Sequence, residues 1–173
     1  MYTYHPVVEI LVKSFGTTPE SLEPLHEQLL AYRENTEGLK EAMLKHKITG
    51  ESEFQQALAV YYELEYRDNF NDVPVVREFT EFIPIRYAKK NIFFPLKKTR
   101  NTLEVAITNP ELSQPLDDLA RHFKCHIQSV ISHKQAVLDL INRAYDESSA
   151  STEDAVDLLD SEETYENILA VEE

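Results

Sequence analysis

The chain has 173 residues, enough for one domain or two small ones with a real core, and its 42% hydrophobic and 28% charged content is that of a soluble globular protein. It has no apolar run approaching a membrane span. Met1 to His5 lacks the basic and apolar regions of a signal peptide, and the single cysteine, Cys125, rules out an internal disulfide, so a cytoplasmic setting is expected. The net charge is -14, but residues 146–173 hold eleven Asp and Glu and no Lys or Arg, leaving −3 for residues 1–145. A near-neutral body with an acidic tail argues against nucleic acid and against an anionic membrane surface, and makes proteins the default partners.

In chain order, Pro6 to Phe15 carries apolar residues at spacings of three and four, which predicts a short helix ended by Gly16. Thr18 and Pro19 read as the N-cap and first position of a second helix, running to about Tyr32. Arg33 to Gly38 is polar and predicts a loop. Leu39 to Lys47 then predicts a short helix, and Glu53 to Tyr62 a longer one burying Phe54, Leu58 and Tyr61 or Tyr62. A shift of 32 residues superposes the two helix pairs, placing Thr17 on Thr49 and Lys13 on Lys45, a weak internal duplication. Leu64 and Tyr66 suit an edge strand, and Asn69 to Pro74 a connection.

In the second half, Ile92 to Leu96 and Leu103 to Ile107 flank a basic turn and predict a β-hairpin. Thr108-Asn109-Pro110 breaks the strand and opens a helix with Leu112, Leu116, Leu119 and Phe123 on one side. Ile127 to Ile131 predicts a third strand. Ser132 suits the N-cap of a last helix whose buried face is Ala136, Val137, Leu140, Ile141 and Ala144. The fold class expected is α+β: an N-terminal helical subdomain, then a small β-β-α-β-α unit whose sheet has three strands, or four if Leu64 to Tyr66 joins it, with helices packed on it. The expected division is 1–68 helical, 69–81 connection, 82–146 α+β, and 147–173 an acidic tail. That tail is Ser-rich, then helical in pattern at Ala155, Leu158 and Leu159 and at Tyr165, Ile168 and Leu169.

Few residues suggest chemistry. His122, Cys125 and His126 are zinc-binding types, but they straddle a helix end, and only His133 is left as a further ligand, so no metal site is expected. A free-standing metal-dependent enzyme is the weakest reading. Gly16, Gly38 and Gly50 stand alone, so there is no phosphate-cradling loop, and no Gly-x-Ser-x-Gly elbow occurs. Asp117-Asp118 and Glu162-Glu163 are adjacent pairs that point apart on a helix. No catalytic residue is expected.

The order of several short words resembles a family. Pro95-Leu96, the run Leu103 to Pro110, and Ile141 to Tyr145 match a Pro-Leu strand, a "Leu-x-Val-Ala-x-x-(Asp/Asn)-Pro" strand end and an "Ile-x-x-x-Tyr" closing helix. They recur in this order in the amino-terminal domain of the secretion ATPases of type II secretion and type IV pilus systems. Phe82 to Lys90 is similar to the "Ile-Pro-x-x-x-Ala" helix that precedes them there. The resemblance implies a docking or regulatory domain without catalysis of its own. Its implied partners are the cytoplasmic domain of an inner-membrane platform protein and a downstream ATPase domain of the same chain, with ATP and Mg expected only in that domain. It also makes the acidic tail a linker, so the natural chain is expected to continue beyond Glu173. The docking surface is expected on Val8, Leu11, Phe15, Leu22 and Leu25, because two helix pairs offer more apolar faces than one small core needs.

The alternative is a ligand sensor. Some relatives carry a segment like "Arg-Leu-Gly-x-x-Leu…Gly-x-Ile-Thr-x-x-Gln-Leu-x-x-Ala-Leu", which binds cyclic di-GMP in pilus-type members. Laid on the second helix pair, it puts Gly38 at the arginine, Lys40 at the first glycine and Lys47 at the second, while Phe54 to Leu58 fits its end. In the first pair Pro6 replaces the arginine and Val8 the glycine. An arginine grips phosphate and a glycine lets the backbone approach, so no cyclic dinucleotide binding is expected.

Overall fold

The computed structural model describes residues 4–151. In chain order the elements are α1 (Pro6–Ser14), α2 (Pro19–Leu22), a 3-10 turn (Glu23–Leu25), α3 (His26–Ala31), α4 (Thr36–Lys45) and α5 (Glu51–Tyr62). Then come β1 (Glu65–Tyr66), α6 (Arg77–Phe82), α7 (Ile85–Asn91), β2 (Phe93–Lys98), β3 (Thr102–Ile107), α8 (Gln114–Phe123), β4 (His126–Ile131) and α9 (Lys134–Ser151). The fold is α+β, with a four-stranded sheet in the order β1-β4-β3-β2. The edge strand read at Leu64 to Tyr66 is β1. It runs parallel to β4, pairing Glu65 with Val130 and Tyr66 with Ile131.

The chain divides into two compact units that are not simple halves. The first runs up to Asp68 and adds Ile107–Glu111 and Ser129–His133. The second holds Asn69–Ala106, Leu112–Gln128 and the chain from Lys134 on.

In the first unit α1 packs on α5, and the core is Val7, Val8, Leu11, Leu29, Leu39, Met43, Phe54 and Leu58 with Val130 and Ile131. Gly16 takes φ +75, the left-handed conformation that ends α1 at low cost for glycine. Pro24 lacks an N–H, and the single helix expected from Pro19 to Tyr32 is split there by the 3-10 turn. The helix expected from Leu39 starts at Thr36, because Asn35 caps it: Gly38 N–H donates to Asn35 Oδ1 at 3.0 Å. Gly38 therefore lies inside α4 and not in a loop.

At the other side of this unit stands Gln55, a fully buried amide on α5. Its Nε2 donates to Thr108 O and to Ser132 O, each at 2.8 Å. These carbonyls come just after the ends of β3 and β4, so one side chain satisfies two backbone groups that have left the sheet ladder. Ser132 N–H in turn donates to Ile107 O at 3.1 Å, and α9 begins two residues later, so Ser132 does not cap it as expected.

The second unit is built on three rings set edge to face. Phe79 of α6 meets Phe94 of β2 at 6.4 Å and 85°, and Phe123 of α8 at 5.6 Å and 89°. Around them Leu96, Leu103, Val105, Leu119, Val137, Leu140 and Ile141 are buried. α6 falls where a connection was expected. α8 starts at Gln114 and not at Pro110, because Glu111 N–H donates to Asn109 Oδ1 at 2.9 Å and closes a turn first. α9 continues past Tyr145 to Ser151. The helical pattern read at Ala155 to Leu169 lies outside the described residues.

Replacing Gln55 by Leu keeps most of its volume but leaves two carbonyls unpaired, which should cost about 2 kcal/mol. Gln55→Ala should cost roughly 1 kcal/mol more for the lost packing. Urea unfolding midpoints check both, and a neutral Leu variant would mean the bonds contribute little.

Candidate functional site

The residues expected to form a docking surface are mostly core. Val8 is 1% exposed, Leu11 0%, Leu22 5% and Leu25 2%, and only Phe15 is half-buried. The expectation that these faces outnumber what a core needs is corrected by the packing. α1 lies on α5 and α3 lies on α4, so the two helix pairs consume each other's apolar stripes.

What remains exposed in this unit is elsewhere, on the last turn of α5. Val60 is 58% exposed and Tyr61 42%. The Tyr61 ring meets the His5 ring edge-on at 5.1 Å and the Tyr62 ring at 4.9 Å, so three rings support the patch. His5 caps α1, its Nδ1 accepting from Val7 N–H at 3.1 Å, which requires that nitrogen to be unprotonated. Burial lowers the His5 pKa from its usual 6.5, opposed by the Glu111 carboxylate. Tyr62 donates to Glu111 Oε1 at 3.3 Å, and burial, then Glu111, raises its pKa. Sequence reasoning took Tyr61 or Tyr62 as a core position; α5 is followed by the left-handed Glu63, and its last turn projects past the core.

The same unit contains an open cavity of about 610 Å³ where the two helix-pair turns meet. Phe15, Gly16 and Thr17 line it from the first pair, and Leu44, Lys47 to Gly50 and Glu53 from the second. Lys47 holds a left-handed φ of 56, and Ile48 N–H donates back to Met43 O at 2.9 Å. Gly38 lies outside this lining, and a Cβ there would stand 2.5 Å from the Tyr32 ring.

The second unit has a cavity of about 440 Å³ with an apolar floor, lined by residues of α6, α7, β2 and α8. Phe82 and His122 stack over its mouth, centroids 3.7 Å apart and 11° from parallel. His122 is thus held against a ring. Cys125 is buried, with Sγ 3.3 Å from Phe123 O, and His126 is exposed on β4. In the first unit His133 Nε2 lies 2.9 Å from Asp68 O. No three His, Cys, Asp or Glu side chains converge as a metal would need among the described residues. No described helix is long and apolar enough to cross a membrane.

The lowered His5 pKa fixes a sign. The folded state favours neutral His5, so its contribution is intact above pH 6.5 and declines as pH falls below it, the unfolded chain taking up the proton first. Melting temperature should therefore fall between about pH 7 and 5.5, above the carboxylate range. In His5→Asn, which keeps a cap acceptor, that part of the fall should vanish.

The comparisons with known proteins agree with this architecture. Residues 62–151 match the family model of the MshEN domain. A structure of MshE with cdg is similar with a TM-score of 0.61 and 18% identity, covering 80% of this chain and 98% of that one. Two crystal forms of the N-terminal domain of XpsE have TM-scores of 0.58 and 0.51, each at 18% identity, covering 83% of this chain and 98% and 99% of theirs. A search of curated protein sequences finds no match. With more than half its length inside the family model, the chain belongs to the MshEN domain family and is an amino-terminal domain of a type II secretion or type IV pilus ATPase.

Proposed function

We propose that this domain docks a secretion ATPase onto its machine and performs no catalysis itself. Its partner in this reading is the cytoplasmic domain of an inner-membrane platform protein, which places the chain peripherally at the inner membrane. ATP and Mg then belong to a downstream ATPase domain of the same chain. The observation that carries the reading is the exposed Val60–Tyr61 patch, set on a unit whose core is already filled. Tyrosine with an aliphatic neighbour is the residue chemistry of interface anchors, which lose large area to a partner at small entropy cost.

Mixing the domain with the platform protein's cytoplasmic domain tests it. Val60→Ser with Tyr61→Ala should weaken binding about tenfold or more, in the range of a lost anchor, and lower the melting temperature by only a few degrees through the lost edge-on contacts with His5 and Tyr62. Unaltered affinity of the folded variant would exclude this surface.

A second reading is favoured by the fold shared with MshE, which was solved with cdg. The cavity between the two turns of the first unit would be the place for such a ligand. The side chains there oppose it. Glu53 brings a carboxylate to the lining, which disfavours phosphate, and Lys47 brings a side chain where a glycine would leave room. Calorimetry with cyclic di-GMP is expected to give no heat at micromolar concentrations. A micromolar isotherm would make the domain a sensor.

A further inference from the structure

We propose that the exposed end of α5 is a socket for an arginine side chain of the docking partner, its guanidinium received by the Tyr61 and Tyr62 rings and the Glu111 carboxylate. This rests on the docking reading above and gives the partner's surface its chemistry.

Three rings meet here, all within the first unit. Tyr61 and Tyr62 stand 4.9 Å apart at 79°, so their planes form a corner. The buried His5 ring flanks Tyr61 at 5.1 Å and 69° and steadies it from one side. Tyr61 keeps 42% of its surface, and Tyr62 is half-buried. An exposed ring face attracts a cation through its quadrupole, and a flat guanidinium also stacks on it.

The carboxylate supplies the sign. The Tyr62 hydroxyl donates to Glu111 Oε1 at 3.3 Å, which sets an exposed carboxylate at the hydroxyl end of that ring. The backbone of Glu111 is fixed in turn, its N–H donating to Asn109 Oδ1 at 2.9 Å. Among the described residues Glu111 forms no salt bridge. His5 faces the same carboxylate, but burial lowers its pKa and its Nδ1 accepts the cap bond, so it stays neutral and does not pair with Glu111.

The surroundings select the same charge. The first unit holds thirteen Asp and Glu against six Lys and Arg. A field of that sign steers a basic partner in and turns an acidic one away. Of the basic side chains arginine fits best, because a planar fork of donors bonds to a carboxylate along one edge while its face lies on a ring. An ammonium group has no such face.

The test titrates the whole chain with N-acetyl-arginine methylamide and with its citrulline analogue, which has nearly the same shape and no charge, while amide and ring resonances are followed. Arginine should shift Tyr61, Tyr62 and Glu111 to saturation at concentrations about threefold or more below those that citrulline needs. Glu111→Gln, which keeps an acceptor for Tyr62, should remove most of that difference. Tyr61→Leu, which keeps apolar area without a ring face, should weaken arginine binding about threefold, and Tyr61→Phe should leave it nearly unchanged. Equal shifts from arginine and citrulline in the unaltered chain overturn the proposal, whatever the variants do.

Against the platform protein's cytoplasmic domain, Glu111→Gln should weaken binding about threefold at about 0.1 M salt and hardly at all at about 1 M, where the screening length falls from about 10 Å to about 3 Å. Arginine recognition by a chain that does not bind the platform protein would support the socket and remove the docking reading. Platform binding that is weakened by Tyr61→Leu and unaffected by Glu111→Gln would keep that reading and overturn the socket.

Discussion

The first unit depends on one buried amide. Helix α5 arises from residues 51–62, but the chain pieces at 107–111 and 129–133 that complete the unit lie far along the sequence, and Gln55 is what bonds to both. Each of those pieces leaves the sheet with a carbonyl that no strand pairs. Burying such a group unpaired is costly, so a donor pair at that position is close to obligatory. The amide supplies it from a helix whose other buried residues are Phe54, Ala57, Leu58 and Ala59. Once α5 is fixed, α1 packs on it, and His5 at the start of α1 meets Tyr61 at the end of α5. The exposed aromatic patch is thus a consequence of how the helix is anchored.

Much of the fold was legible because its signals are local. The β2–β3 hairpin shows as alternation around Lys97 to Asn101, and the buried face of α9 as Ala136, Val137, Leu140, Ile141 and Ala144 at helical spacing. Cap geometry was less legible. Asn35 and Asn109 are both turn-forming residues, yet one starts a helix at Thr36, three residues before Leu39, the first apolar position, and the other delays one to Gln114. The choice between those outcomes is made by which backbone N–H each side chain reaches. α6 escaped notice because six residues with Phe79 and Phe82 are too short for a periodic signal; its helicity comes from Phe79 packing into the aromatic cluster.

The docking surface was the least legible feature, for a physical reason. An apolar stripe on a helix looks the same whether a neighbouring helix or a partner protein covers it. Leu11 and Leu25 have the pattern of interface residues and are core; Tyr61 continues the apolar face of α5 three residues past Leu58 and is exposed at the helix end, while Val60 lies on the solvent side of α5 with Glu53 and Gln56. Sequence periodicity records how much apolar surface a helix has. It does not record where the cover ends.

The two helix-pair turns separate backbone geometry from side-chain chemistry. Gly16 ends α1 at φ +75, and Lys47 ends α4 at φ 56, where a side chain raises the cost of the left-handed conformation. The turn after α4 is therefore kept by hydrogen bonding, Ile48 N–H to Met43 O, although the residue that makes such a turn cheap is absent. The fold of the pair does not need a glycine there. A ligand requiring close backbone approach would need one, since the Lys47 side chain and the Glu53 carboxylate both line the cavity. At position 38 the packing asks for a glycine, because the Tyr32 ring stands where a side chain would begin. Shape and side-chain chemistry are set separately in this pair: the turns are held by backbone geometry and hydrogen bonds, and the cavity between them is lined by the Lys47 and Glu53 side chains.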